Sequence, residues 1–345
     1  MLLTPLLGAG ILLAGSGCSG QGDSATVGGS SVPRVTSSAP STAPTTAAAT
    51  SPAPGGSPAS SASSASSVQP TDAPTPPAQA ELPRGGRTLF PTYRLVGYAG
   101  RTGSTALGRL GIGDADERVS ELERRAEPYA ADGRKVLPVL EVIATTVQAS
   151  PGRDGRYRAR MSDRDVQRYL DVARRHHALL LLAIQPGRAD FLPEVEAYDK
   201  WLAQPDVGVA LDPEWAIGPG QVPGRVFGHT TGAELDDVAA HLSALSEEHD
   251  LPEKVMVFHE LAARIVTQES GLRAHPGVVE VKSVDGIGSR AQKEGTYRVV
   301  NADSPKQVRP GFKLFYVEDR QTSRSLMTPT QVMALKPRPD YVMYE

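Results

Sequence analysis

Short apolar segments recur along most of this 345-residue chain. Each is rich in Val, Leu, Ile or aromatic residues and is bounded by Gly, Pro or charged residues, a pattern that is typical of β-strands. Eight such segments predict strands over 93–100, 135–144, 178–185, 207–214, 254–260, 277–285, 312–319 and 340–345.

Between these segments, apolar residues recur every three to four positions, which is typical of amphipathic helices. Ser162 or Asp163 is suited to cap one of these helices, and Thr231 is suited to cap another. The spacing predicts helices over 116–130, 162–177, 191–203, 231–249, 261–270 and 328–336. The segment 286–311 has the least regular pattern.

The alternation of strands and helices favours a parallel sheet. Eight units in roughly 260 residues suit a closed barrel, which commonly forms one domain of about 250 residues. An open, doubly wound sheet is the alternative, and it requires a Gly-rich phosphate loop after the first strand. The segment "GYAGRTGSTALG" lacks the G-x-G-x-x-G spacing of such a loop. The sequence therefore predicts an α/β fold, a (β/α)8 TIM-like barrel.

The composition changes sharply before the first predicted strand. Residues 1–18 are apolar and end in small residues and Cys18, which is typical of an export signal. They resemble a bacterial lipoprotein signal, and this resemblance implies that Cys18 is lipidated and anchors an exported protein to the extracytoplasmic face of the membrane. A plain secretory signal is the alternative. A single cysteine cannot form an intramolecular disulfide.

Residues 19–85 consist mainly of Ser, Ala, Thr, Pro and Gly, and they offer little apolar surface to bury. We expect this segment to be a disordered linker between the signal and a barrel domain at 86–345. The formal net charge of -3 gives no indication of a nucleic-acid partner. The sequence also indicates no bound cofactor, and we expect a monomer.

Polar side chains follow most of the predicted strands, at the end where barrel enzymes carry their catalytic groups. Two of them, Asp285 and Asp319, could instead cap the following helices. A polar, acidic and aromatic opening of this kind favours a carbohydrate ligand. The predicted site residues are Tyr98, Glu141, Gln185, Asp212, Glu214, Trp215, His259, Glu260, Asp285, Tyr316 and Glu318.

Asp212 and Glu214 are the predicted catalytic pair. Residues two apart in a strand point to the same side, so both should face the barrel opening with Ala210, whereas Val209 and Leu211 face the helices. Two neighbouring carboxyl groups tend to divide into one that holds its proton and one that is ionised. Cleavage of a glycosidic bond requires such a pair. An ion pair with an arginine is the alternative interpretation.

The segment "VGVALDPEW" (207–215) resembles the fourth barrel strand of family 18 glycoside hydrolases, whose pattern is D-G-x-D-x-D-x-E followed by an aromatic residue. Gly208, Asp212, Glu214 and Trp215 match, and apolar residues replace the two earlier acids. The segment also resembles the Asp-x-Glu of family 25 lysozymes. The first resemblance implies that Glu214 is the general acid and that Asp212 orients a substrate acetamido group.

Three functions are consistent with these residues. The first is a cell-surface glycosidase that acts on wall or capsular glycan, and the second is a glycan-binding lipoprotein without hydrolytic activity. The third is a metal-dependent hydrolase with Glu141, Asp212, His259 and Glu260 as ligands. The absence of H-x-H and H-E-x-x-H patterns argues against the third.

Overall fold

A computed structural model describes residues 79–345 of the chain. Eight parallel strands form a ring, because each pairs with the next and the last pairs with the first. The ring strands are β1 (Tyr93–Gly100), β2 (Lys135–Val147), β4 (Leu179–Ile184), β5 (Val207–Leu211), β7 (Lys254–Glu260), β9 (Val278–Val284), β10 (Arg309–Leu314) and β11 (Tyr341–Tyr344). Three short strands, β3 (Arg158–Arg160), β6 (Thr230–Thr231) and β8 (Val266–Thr267), lie outside the ring. The fold is a TIM-like barrel, as the sequence predicts.

Helices connect the ring strands. Ser162 and Thr231 cap their helices as predicted, since their hydroxyl oxygens accept hydrogen bonds from the backbone N–H groups of Asp165 and Glu234. The helices are α1 (Ala115–Ala126), α2 (Asp163–Arg175), α3 (Phe191–Glu196), α4 (Asp199–Leu202), α5 (Gly232–Glu248), α6 (Arg290–Val300), α7 (Glu318–Thr322) and α8 (Pro329–Met333).

Several predicted elements differ in the structure. The predicted strand over 207–214 ends at Leu211, so Asp212 and Glu214 follow the strand instead of lying in it. The predicted helix over 261–270 is wrong, because this segment contains strand β8, which pairs with β6, and a short 3-10 turn. The predicted strand over 312–319 extends too far, since β10 ends at Leu314 and α7 begins at Glu318. The predicted helix over 191–203 is divided into α3 and α4. The irregular segment 286–311 also contains helix α6.

Side chains of the ring strands alternate between two apolar clusters. In β5, Ala210 belongs to the cluster inside the barrel, whereas Val209 and Leu211 belong to the cluster between the strands and the helices. This confirms the predicted facing. The interior is tightly filled at Gly208, where a Cβ atom would lie 2.6 Å from the Val255 carbonyl oxygen.

The segment before β1 packs against the barrel. Leu82 and Leu89 are buried with the interior cluster, and the Tyr93 hydroxyl donates to the Arg84 and Gly85 carbonyls. The predicted signal, Cys18 and most of the predicted linker lie outside the described residues. Within residues 79–345, none of the helices combines the length and apolar character that crossing a membrane requires.

Candidate functional site

Ionisable side chains from five ring strands meet inside the barrel at the carboxyl ends of the strands. We call this end of the interior the mouth. The mouth cluster consists of Glu141 on β2, Asp212 and Glu214 after β5, His259 on β7, Asp285 after β9 and Lys313 on β10. Glu141 and His259 point inwards because they alternate with strand residues that pack against the helices.

Asp285 is bonded to both cations of the mouth cluster. Its Oδ2 lies 2.8 Å from Nδ1 of His259 and 3.3 Å from Nζ of Lys313. Its Oδ1 accepts a hydrogen bond of 2.8 Å from the Ser283 hydroxyl. Burial alone would raise the pKa of Asp285, but the charges of His259 and Lys313 lower it to about 2. Asp285 is therefore ionised and fixes the position of the His259 ring.

His259 is fully buried, yet its surroundings favour its protonated form. Burial lowers its pKa, but the carboxylates of Asp285 and Glu141 outweigh burial and raise the pKa well above its usual value. Its Nε2 lies 3.3 Å from Oε1 of Glu141 and 3.8 Å from Oδ1 of Asp212. This nitrogen has no hydrogen-bond partner in the described part of the chain. The site therefore contains a buried ring nitrogen that contacts two carboxyl groups without a well-aligned hydrogen bond, which is unusual in a folded protein.

Glu141 is held as a carboxylate from two sides. The Tyr341 hydroxyl donates a hydrogen bond to its Oε2, and His259 approaches its other oxygen. Burial raises the pKa of Glu141, but the nearby charge of His259 lowers it overall. On the far side of the mouth, Lys313 Nζ lies 2.6 Å from Oε2 of Glu345.

Asp212 and Glu214 are held by the backbone of a 3-10 turn, Pro213–Trp215, which follows β5. The Asp212 N–H donates to the Ile184 carbonyl, and the Gly228 N–H donates to the Glu214 carbonyl. Burial raises the pKa of Asp212 to about 6. Burial and the neighbouring Asp212 charge raise the pKa of Glu214 well above 4.5. Both carboxyl groups therefore hold a proton more strongly than an ordinary exposed carboxyl group does.

The carboxyl group of Glu214 has free hydrogen-bonding capacity. Its Oε2 atom is buried and has no hydrogen-bond partner among the described residues. The alternative interpretation, an ion pair with an arginine, does not occur among the described residues. Arg188 donates to the Gln221 carbonyl, and Arg225 has no carboxylate within 4 Å. One oxygen of the Glu214 carboxyl group thus has no partner among the described residues.

Glu260, predicted at the mouth, faces the helical layer. Because adjacent residues in a strand point to opposite sides, Glu260 and His259 cannot both face the interior. Glu260 lies 3.5 Å from Nζ of Lys282, which also contacts Glu269. The assignment of Glu260 to the site is therefore wrong.

The aromatic residues predicted at the mouth lie mostly outside it. Tyr98 belongs to the apolar cluster under the helices, and its hydroxyl donates to Glu121 of α1. Tyr316 packs edge-on against Tyr98, and Glu318 lies at the start of α7. These two were misplaced because β10 ends at Leu314 rather than at residue 319.

Gln185 and Trp215 lie near the mouth without joining the mouth cluster. The Gln185 side-chain oxygen accepts a hydrogen bond of 3.1 Å from the Val147 N–H, so this residue supports the end of β2. Trp215 is half-buried on the same turn as Glu214.

Neither Asp285 nor Asp319 caps a helix, so the capping interpretation is wrong for both. Ser289 caps α6 in place of Asp285. Asp319 accepts hydrogen bonds from the backbone N–H groups of Gly288 and Phe315 and contacts Lys293 at 3.0 Å. These bonds connect two loops at the mouth and account for the early end of β10.

Sequence reasoning missed Lys313 and Tyr341. Both occupy inward-facing strand positions beside residues of the outer cluster, such as Phe312 and Val342. Lys313 could have been found as the charged residue of the alternating apolar segment "GFKLF". It was missed because the strand was predicted to extend to residue 319, so its end was sought at Glu318 and Asp319.

The described residues contain no group of three or more His, Cys, Asp and Glu side chains arranged to hold a metal ion. The mouth cluster is held by hydrogen bonds and by ion pairs between carboxylates and the two cations. Carboxyl groups with a raised pKa, such as Asp212, can accept and donate protons near neutral pH.

Comparisons with known proteins add little. No family model matches the chain, and no curated protein matches it. Among solved structures, a tryptophan synthase from M. tuberculosis is similar over 73% of this chain and 82% of its own, with 17% identity and a TM-score of 0.32. The barrel assignment rests on the closed order of the strands rather than on this likeness.

Proposed function

We propose that the protein is a glycoside hydrolase that cleaves a cell-wall or capsular glycan by general acid–base catalysis. Glu214 is the general acid and Asp212 is its partner. The supporting observation is the buried Glu214 carboxyl group at the barrel mouth, which has an unpaired oxygen and a pKa raised by burial and by Asp212. A carboxylic acid that stays protonated near neutral pH can give its proton to a leaving oxygen.

The proposed reaction has two steps. Glu214 protonates the glycosidic oxygen while the acetamido oxygen of the substrate attacks the anomeric carbon, as the resemblance to family 18 hydrolases implies. Asp212 orients the acetamido group during this attack. The glycosidic bond breaks, and the leaving sugar departs with the proton from Glu214. A water molecule then adds to the anomeric carbon as the bond to the acetamido oxygen breaks, and one proton of this water returns to Glu214, which restores the starting state.

The rest of the mouth cluster suits a transition state with positive charge. Glycoside cleavage passes through an oxocarbenium-like state. Apart from the protonated Glu214, the mouth holds four carboxyl groups, Glu141, Asp212, Asp285 and Glu345, against the two cations His259 and Lys313. This excess of acids favours a developing cation in a buried site.

Glu214→Gln tests the proposal, because the amide keeps the shape of the side chain but cannot donate the proton. We expect hydrolysis of N-acetylated glycans by the full chain to fall roughly 10²–10⁴-fold, the usual contribution of a general acid. Glu248→Gln, at an exposed position on α5, is the matched control and should retain full activity. Full activity of Glu214→Gln would contradict the assignment. Glycan binding by the wild-type chain without turnover would favour the alternative, a non-catalytic glycan-binding protein.

We also propose that the protein is exported and anchored through a lipid on Cys18. The support comes from the sequence alone, in which an apolar segment ends at the single cysteine. Cys18→Ala should release the protein from the membrane fraction. Retention of the variant in that fraction would exclude lipid anchoring at this residue.

A further inference from the structure

The segments that follow the ring strands carry several arginines without a carboxylate partner. In a barrel the loops of these segments surround the mouth. Among the described residues, seven arginines on these loops and Arg320 on the short helix α7 have no carboxylate within 4 Å, and six of the eight are exposed. We call them the rim arginines: Arg101, Arg153, Arg156, Arg188, Arg225, Arg264, Arg320 and Arg324.

The opposite end of the barrel has the reverse balance. The loops that precede the ring strands from β2 onward carry eight Asp and Glu residues against five Lys and Arg residues. Of these five cations, Arg134, Arg273 and Arg338 have a carboxylate within 4 Å, so the unpaired cations are concentrated at the mouth end.

Two rim arginines lie against aromatic rings. The Arg188 guanidinium lies 4.3 Å from the centre of the Tyr157 ring and donates a hydrogen bond of 3.0 Å to the Gln221 carbonyl. Arg264 lies over Phe227, a side chain that is 46% exposed. A guanidinium held by stacking retains N–H groups that match the two oxygens of a carboxylate or phosphate.

We propose that the rim arginines bind a polyanionic glycan, so that the substrate of the hydrolase carries uronate or phosphate groups. This inference rests on the proposed function. The interior of the mouth is acidic, so an anionic group on the sugar unit next to Glu214 would be repelled. The negative groups therefore belong to the flanking units, which lie over the rim arginines.

Hyaluronan and chitin oligosaccharides of equal length test this inference, because both contain N-acetylglucosamine and only the first carries uronates. Binding is measured with the full chain carrying Glu214→Gln, which prevents cleavage. We expect hyaluronan to bind more tightly than chitin, with an affinity that falls as salt is added. Poly(glycerol phosphate) tests whether the bound anion is phosphate, and vesicles of phosphatidylglycerol test whether it belongs to a membrane surface.

The variant Arg225→Gln, Arg264→Gln, Arg320→Gln should weaken hyaluronan binding about tenfold, because three exposed charge contacts are removed together. The matched control, Arg124→Gln, Arg298→Gln, Lys336→Gln, removes the same charge from exposed positions at the opposite end of the barrel and should bind normally. Tighter binding of poly(glycerol phosphate) with the same loss in the rim variant would identify phosphate as the anion.

Any of four results would overturn the inference. The first two are that chitin and hyaluronan bind equally, or that the rim variant binds as the unmodified rim does. The other two are that the protein binds none of these glycans, or that it binds the vesicles alone. Cleavage of chitin that depends on Glu214 but not on the rim would overturn this inference and leave the proposed function intact. If hyaluronan binding depends on the rim arginines but Glu214→Gln retains full activity, the proposed role of Glu214 is overturned and the binding of polyanionic glycan by the rim stands.

Discussion

Replacing Asp285 with Asn would remove the negative charge that holds two buried cations in the mouth. Asp285 is 4% exposed and lies 2.8 Å from Nδ1 of His259 and 3.3 Å from Nζ of Lys313. The amide can still accept a hydrogen bond but no longer balances the positive charges. The fully buried His259 then depends on Glu141 and Asp212 alone.

The size of the effect follows from two considerations. The folded protein lowers the pKa of Asp285 from 3.8 to about 2, which corresponds to about 2 kcal/mol of stabilisation of its charged form. Removing one partner of a buried ion pair typically costs about 3–5 kcal/mol. Because Asn retains part of the hydrogen bonding, we expect Asp285→Asn to lower the free energy of unfolding by about 3 kcal/mol at pH 7.

Urea unfolding of the full chain as a function of pH measures this effect. The lowered pKa of Asp285 stabilises the wild-type protein above about pH 4, and this contribution is lost as the pH falls through about 2. The difference between the wild type and Asp285→Asn should therefore shrink at low pH. Asp237→Asn, an exposed position on α5, is the control. A loss under about 0.5 kcal/mol at pH 7, similar to an ordinary surface substitution, would refute the described charge arrangement.

The other predictions concern the layers around the site. Burial raises the pKa of Glu260 to about 8, so it contributes to a decline of the wild-type free energy of unfolding as the pH rises from 4.5 towards 8; in the same urea titration Glu260→Gln should show a shallower decline, with Asp212 and Glu214 accounting for what remains. Gly208→Ala should lower the free energy of unfolding by about 1–3 kcal/mol, since the added Cβ would lie 2.6 Å from the Val255 carbonyl oxygen; a neutral result in thermal unfolding would contradict the tight interior. Limited proteolysis should leave a fragment that begins before the buried Leu82, and a stable product beginning after Leu89 would contradict the packing of this segment.

Much of the barrel could be predicted because its strands alternate regularly with amphipathic helices. In β5, the period of two placed Ala210 inside and Leu211 outside, as the structure has them. The same period should have separated His259 from Glu260, which the sequence reasoning placed together. Strict use of the strand alternation would have kept Glu260 out of the site.

The remaining errors came from interactions between segments distant in the chain. β10 ends early because Asp319 binds the backbone of Gly288 and Phe315, and the sequence gives no sign of this contact. The misplaced boundary put Tyr316 and Glu318 at the mouth and concealed Lys313. The role of Asp285 likewise depends on His259 and Lys313, which come from other strands.

The central claim is that the mouth holds a protonated Glu214 beside an ionisable Asp212. Carbon-13 NMR of the side-chain carboxyl groups, followed from pH 3 to pH 9 and assigned with Glu214→Gln and Asp212→Asn, measures both groups directly. We expect Asp212 to titrate near pH 6, and we expect Glu214 to titrate at a higher pH than Asp212 and to remain protonated at neutral pH. Titration of Glu214 near pH 4.5, like an ordinary exposed glutamate, would contradict its role as the general acid.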